Sequence, residues 1–367
     1  MRQILKYTGY ILVILIIGFL IYKFYYIIGW LLIAAIVSFI GEPLVRTFDK
    51  IHVKKFIIPH ALSTLLALFV ILLFILGLVA IFVPMIINQA QAISQININE
   101  LGEDLQGPIH WIDSKLRASG TLAEDQTLND FFATKVRSII NLENLGSLLT
   151  SFMSAAGNIF LGLFAILFIS FFFLKDENMF EEGILLIIPQ KYDKETRRVI
   201  ADSKYLLKRY FIGILLELLV VISLISLGLW ILGVKNALLI GFFAGIMNII
   251  PYLGPVLGAI IGITLGITGT LASGSVNDLL PVMIKLMSVI TLVQFIDNNI
   301  LVPMIYAKSV KSHPLEIFLI IIMGGGLAGL PGMLLAVPAY TVLRVIAREF
   351  FQEFRVVQKI TETMDKE

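Results

Sequence analysis

Runs of about 18 or more apolar residues recur from one end of this 367-residue chain to the other. A helix needs about 20 such residues to cross the roughly 30 Å hydrocarbon core of a bilayer. In hydrocarbon every backbone N–H and C=O must be bonded inside the segment, so runs of this length are helices. The expected fold is therefore an all-α polytopic membrane protein with about eight hydrophobic segments. At 58% hydrophobic and only 15% charged residues, the composition argues against a water-soluble enzyme. Basic and acidic residues nearly balance, 28 against 26, and no Lys/Arg cluster is interleaved with aromatics, so no nucleic-acid partner is expected. The chain has no Cys, which removes disulfides, thiolate nucleophiles and Cys-ligated metal.

Charge sets the expected threading. The first apolar stretch, about Ile4 to Gly41, is long enough for two short spans joined near Lys23–Tyr26. The segment after it carries Arg46, Lys50, Lys54 and Lys55 and is expected in the cytoplasm with the N-terminus. A third span, about His60 to Pro84, completes an N-terminal membrane region over 1–84. The polar stretch 85–146 is rich in Asp and Glu and poor in Lys and Arg, which places it outside. Within it Leu128, Phe131, Phe132, Val136, Ile139 and Ile140 recur at helical spacing, an amphipathic pattern suited to the membrane surface, a neighbouring subunit or the bundle's own outer face. The fourth span, 147–174, leads back to a basic segment, 175–209, in which Tyr192 to Tyr210 reads as an amphipathic helix running into the fifth span. Residues 210–347 are expected to form the transport core, and 348–367 a cytoplasmic tail.

From Tyr210 onward Gly and Pro appear inside apolar segments rather than between them. Ala244 to Gly262 holds Pro251, Tyr252, Gly254 and Pro255; Ile320 to Tyr340 holds Gly324, Gly325, Gly326, Gly329, Pro331 and Gly332. Such breaks survive in lipid only where the freed backbone is covered by protein or lines a cavity. Each broken segment follows one continuous span, Phe211 to Leu232 or Met283 to Ile305. Two broken or re-entrant helices forming an inverted repeat are the expectation, with these Gly and Pro residues at hairpin tips that gate a path. Two Pro-kinked spans in a static bundle are the alternative.

Ionisable groups deep in a span cost roughly 2.5–3.5 kcal/mol on insertion scales and face the interior. Glu217 lies in the fifth span, and Asp297 lies in a later one with Gln294 before it and Asn298 and Asn299 after it. Asn248 stands just before the first tip. These six residues are the candidate solute or ion path: carboxylates and amides can take a proton, a small cation or the hydroxyls of a polar solute. An interhelical hydrogen-bond cluster is the structural alternative.

The runs FFFLKDENMFEEGILLIIPQ, IIPYLGPVLGAI and QFIDNNILVPMIYAKSVKSHPL resemble, in order and spacing, those of the autoinducer-2 exporter family of bacterial inner-membrane permeases. The resemblance implies efflux, and it assigns Pro251, Tyr252, Gly254 and Pro255 to one motif and Gln294, Asp297, Asn298, Pro303 and Pro314 to another. Where members often show Gly-Gln early in the fifth span, this chain has Gly213-Ile214 with Glu217 three residues on. No nucleotide-binding G-x-x-x-x-G-K-[ST] and no H-E-x-x-H or G-x-S-x-G occurs, so transport is expected to be driven by an ion gradient, without cofactor, metal or catalytic residues. Export of autoinducer-2 or a similar polar metabolite, Na+(Li+)/H+ antiport and, more remotely, an oligomeric channel stay open. The expected partners are the bilayer, a small polar solute or Na+/H+, and further copies of the chain in a homo-oligomer.

Overall fold

The computed structural model describes residues 18–19, 23–53, 56–94, 161–176, 178–273, 278–306 and 313–361. Nearly all of them are helical. The helices are α1 (Tyr25–Asp49), α2 (His60–Ser94), α3 (Leu161–Lys175), α4 (Met179–Leu185), α5 (Asp193–Ile231), α6 (Ala237–Met247), α7 (Leu253–Ala272), α8 (Leu279–Ile296), α9 (Val302–Tyr306), α10 (Pro314–Phe350) and α11 (Arg355–Thr361). Between α1 and α2 a two-residue antiparallel ladder, His52–Val53 against Phe56–Ile57, closes a tight hairpin. Among the described residues six helices are long and apolar enough to cross a membrane, and α3 and α6 are shorter apolar helices. The chain is a multi-pass membrane protein.

The chain divides into two compact units, 1–75 with 154–212 and 76–153 with 213–367. In the first, Val45, Ala67, Leu68 and Leu174 form the buried core. Ser170 donates to the Ala34 carbonyl at 3.2 Å, and Gly162 has no Cβ where the Trp30 indole passes. Gly41, where the sequence suggests the end of the second span, lies mid-helix. Helix α1 continues through Pro43 and Arg46 to Asp49 because Glu42, only 9% exposed at its side chain, is neutralised by Arg46 at 2.6 Å and by Lys208 of α5 at 2.7 Å. His60 ties three helix ends together: Nδ1 lies 2.9 Å from Asp49 Oδ2 and Nε2 3.1 Å from the Leu174 carbonyl.

One further boundary moves. The third span does not stop at Pro84; α2 runs ten residues beyond it, so the polar stretch placed at 85–146 begins as continuous helix. The amphipathic segment does run into the fifth span. Asp193–Ile231 is one 39-residue helix, opened by Asp193 and Glu195 in a first turn whose dipole favours acidic residues. The segments 95–160 and 362–367, with the amphipathic pattern around Phe131 and the start of the fourth span, lie outside the described residues.

The second unit is built around the two breaks. Helices α6 and α7 form an antiparallel hairpin, with the stretch Asn248–Tyr252 as its tip. A Cβ on Gly254 would stand 2.2 Å from the Met247 carbonyl and one on Gly258 2.4 Å from that of Ala244, so only glycine lets the arms approach this closely. At 11 residues, α6 is about 16 Å long, half of what a bilayer crossing needs. The segment is therefore a helical hairpin with one short arm and one arm long enough to span. Helix α10 counts as 37 residues, but Ala328 (φ −141°, ψ 21°) and Gly329 (φ 60°, ψ −141°) are not helical. The chain folds back there: Gly324 lies against Gly332, and Tyr340 Oη donates to Glu316 Oε2 at 2.9 Å. Pro314 at the helix start, with His313 Nδ1 accepting from the Leu315 N–H at 3.2 Å, opens the first arm. Span plus hairpin occurs twice along the chain.

The tips are shorter than the Gly/Pro pattern suggests. Gly254 and Pro255 begin α7, where a first-turn proline costs no hydrogen bond, and Gly324, Gly325 and Gly326 belong to the first arm of the second hairpin. Pro331 and Gly332 belong to its second arm, leaving Ala328–Gly329 as the turn. The pattern misleads because glycine serves two ends: backbone freedom at a turn and close approach between helices.

Candidate functional site

The buried stripe of α5 is Val221, Ile225 and Leu229, at 1%, 4% and 0% exposure. One turn before it on the same four-residue spacing is Glu217, 5% exposed. On α8 the stripe Val289 and Val293 continues, again by four, to Asp297 at 2%. Both carboxylates thus extend packed helix faces into polar positions. These faces meet in one core with Ile240 and Ala244 of α6 and Leu286 of α8.

Close approaches fix the helices' register. Missing Cβ atoms at Gly245 and Gly241 admit Ile222 and Ser226, and that at Gly228 admits Val289. Extrapolated at about 1.5 Å per residue along each helix, this register puts Glu217 level with Ile250 and Asp297 level with position 220, roughly one turn apart. The Gly266–Leu286 and Gly262–Ile290 approaches set Asp297 level with Pro255. Both carboxylates therefore sit at the depth of the first hairpin's tip.

The tip closes on Asp297. Asn248, the residue that follows α6 and 8% exposed, donates from Nδ2 to Asp297 Oδ2 at 3.4 Å, and Gln294 Nε2 donates to the same oxygen at 3.2 Å. Asn248 therefore does not spend its side chain capping α6. The second oxygen, Oδ1, is buried and has no donor among the described residues. A buried acceptor left unmatched costs about 1–3 kcal/mol, so the position favours a proton, a cation or a donating solute group. Tyr252 stands in the left-handed region (φ 66°) and its ring packs edge-on against Phe318 of the second hairpin, with centroids 6.4 Å apart.

Asp297 also opens a π-helical turn, Asp297–Leu301, which periodicity does not reveal. Its cause is local. Pro303 cannot donate to residue 299 and its ring would crowd that carbonyl, while Asn299 Nδ2 takes the Phe295 carbonyl at 2.8 Å. The Val302 N–H then bonds back five residues to Asp297. Asn298 and Asn299 are exposed, so the structure gathers Asn248, Gln294 and Asp297 but not these two. Among the described residues no group of three or more His, Asp or Glu side chains gathers to hold a metal.

The profile described as AI-2E family transporter covers residues 10–352. The chain belongs to this family. It is 32% identical over 328 residues to YueF of Bacillus subtilis (strain 168), covering 86% of this chain and 81% of that one. Similarity to sll0060 of Synechocystis sp. (strain ATCC 27184 / PCC 6803 / Kazusa) is 27% over 330 residues, 87% of each chain. A shorter match, 36% over 59 residues, covers 16% of this chain and 17% of PerM from Escherichia coli (strain K12). The first two are named as transport proteins and the third as a permease. The AI-2E transporters are a membrane transport family, and this chain has that role.

Three polar residues of this family member escape a reading by apolar runs: Gln89, Asn236 and Thr268. Gln89 is buried at 6%, and its carboxamide joins the other two. Gln89 follows Pro84, where the apolar run ends, so only the continuation of the helix past that proline distinguishes it from loop.

Proposed function

We propose that this AI-2E family member is an ion-gradient-driven secondary transporter exporting autoinducer-2 or a similar small polar metabolite across the bacterial inner membrane, with both termini in the cytoplasm. The observation that supports it is Asp297, buried at the tip of the first hairpin with Oδ2 held by two amides and Oδ1 unmatched. An acceptor of this kind takes a hydroxyl donated by a polyol-like solute, while Asn248 and Gln294 keep the carboxylate oriented. Glu217, one turn away in depth, provides a second carboxylate for a coupling proton. The hairpin tips are the gates, and Tyr252 at the first tip links it to the second hairpin. Assembly as a homo-oligomer belongs to the same proposal.

The unmatched oxygen also favours a second reading, Na+(Li+)/H+ antiport, in which Asp297 exchanges a cation for a proton. Flux in sealed vesicles, with autoinducer-2 or with 22Na+ and with or without a pH gradient, separates the two. Under the export reading Asp297→Asn retains a hydrogen-bonding group and much of the autoinducer-2 flux, and 22Na+ does not move against protons. Under antiport, Asp297→Asn or Glu217→Gln abolishes coupled 22Na+ flux in inserted protein. Absence of flux for both solutes under every gradient would overturn both.

A further inference from the structure

Helix α2 is still helical ten residues past Pro84, and one of its faces is committed to the first hairpin. The Phe82 ring, 6% exposed, stacks on Phe242 of α6 with centroids 3.6 Å apart and planes at 19°. Two turns further on the same face, Gln89 uses its whole carboxamide. Its Nε2 donates to Thr268 Oγ1 at 3.1 Å and toward the Leu265 carbonyl at 3.5 Å, both on α7. Its Oε1 accepts from Asn236 Nδ2 at 2.6 Å. Thr268 passes its own proton back to the Thr264 carbonyl at 2.8 Å, so its oxygen is free to accept.

Asn236 holds the position just before α6 in the left-handed region, φ 56° and ψ 26°. An Asn there ordinarily accepts from the first N–H groups of its own helix. This one makes no such cap and turns its amide to Gln89. Gly269 of α7 borders the junction, its Cβ position in ordinary contact distance of Asn236 Nδ2 (3.4 Å) and Gln89 Nε2 (3.7 Å). One amide thus joins the open ends of both hairpin arms to the helix that leads directly into the polar insert.

We propose that Gln89 is a positioning residue: it clamps the stem of the polar insert to the open end of the first hairpin. Helix α6 is a single 11-residue rod, so fixing its start fixes its end, where Asn248 meets Asp297. The clamp holds whichever solute or ion the transporter carries.

The test is hydrogen–deuterium exchange of the full-length protein in lipid nanodiscs. Gln89→Leu should speed amide exchange on the order of tenfold in α6, in the tip 248–252 and in the last turns of α2, with α10 unchanged. Asn236→Gly, which suits the left-handed backbone and removes only the amide, should give the same local pattern even if the Leu variant fails to insert. The double variant should be no faster than either single one, because both break one linkage. Exchange that stays at the wild-type rate in α6, that rises equally in α10, or that adds across the two variants would overturn the proposal.

Discussion

Gly324→Ala and Gly326→Ala are two residues apart in one helical arm, yet the structure predicts opposite effects. A Cβ on Gly324 would stand 2.4 Å from the Gly332 carbonyl oxygen and 3.0 Å from the Ala336 Cβ, whereas one on Gly326 meets nothing within 4 Å. A carbon and a carbonyl oxygen settle at about 3.3–3.6 Å, so the two arms must part by roughly 1 Å along their contact. A gap of about that size forfeits a quarter to a half of each dispersion contact, and overpacking typically costs about 1–3 kcal/mol. Alanine offsets part of this, since replacing a helical glycine stabilises by about 0.8–1 kcal/mol. Gly326→Ala receives that gain alone. The two variants should therefore differ by about 1–3 kcal/mol, with Gly324→Ala the less stable. Thermal midpoints in detergent, read by the loss of the monodisperse peak in size-exclusion chromatography, should fall several degrees further for Gly324→Ala. If α10 were one straight helix, both alanines would be stabilising. Equal midpoints, or a lower one for Gly326→Ala, would refute the folded-back hairpin.

Other consequences are open to simpler assays. Lys208→Met should lower the midpoint clearly more than Arg46→Met, because Lys208 approaches Glu42 at a site where its side chain is 24% exposed against 62% for Arg46, and exposed ion pairs contribute little. In a chain without native Cys, a cysteine at Asn129 should react with an impermeant maleimide from outside and one at exposed Lys194 only after permeabilisation; the reverse would invert the threading. Gly254→Val should deplete folded protein in step with transport, since its Cβ would meet the Met247 carbonyl at 2.2 Å; folded protein at wild-type level would show that the arms can separate.

Apolar run length alone determined that this chain is helical and crosses a membrane repeatedly, because hydrocarbon permits almost no other backbone arrangement. Gly and Pro inside the runs located both breaks, and the rarity of intramembrane carboxylates marked Glu217 and Asp297. These signals are local: each depends on what one segment costs in lipid. What the tertiary structure decided depends on pairs of segments. Gly324 and Gly329 look alike in the sequence, but one faces Gly332 across the hairpin and the other turns the chain. Asn298 adjoins Asp297 and is exposed, while Asn248, 49 residues away, reaches its carboxylate. A π turn at Pro303 breaks the 3.6-residue period on which shared helix faces are inferred. Gln89 gains its three partners only when α2 lies along the first hairpin, a contact spanning more than 140 residues that no local pattern encodes.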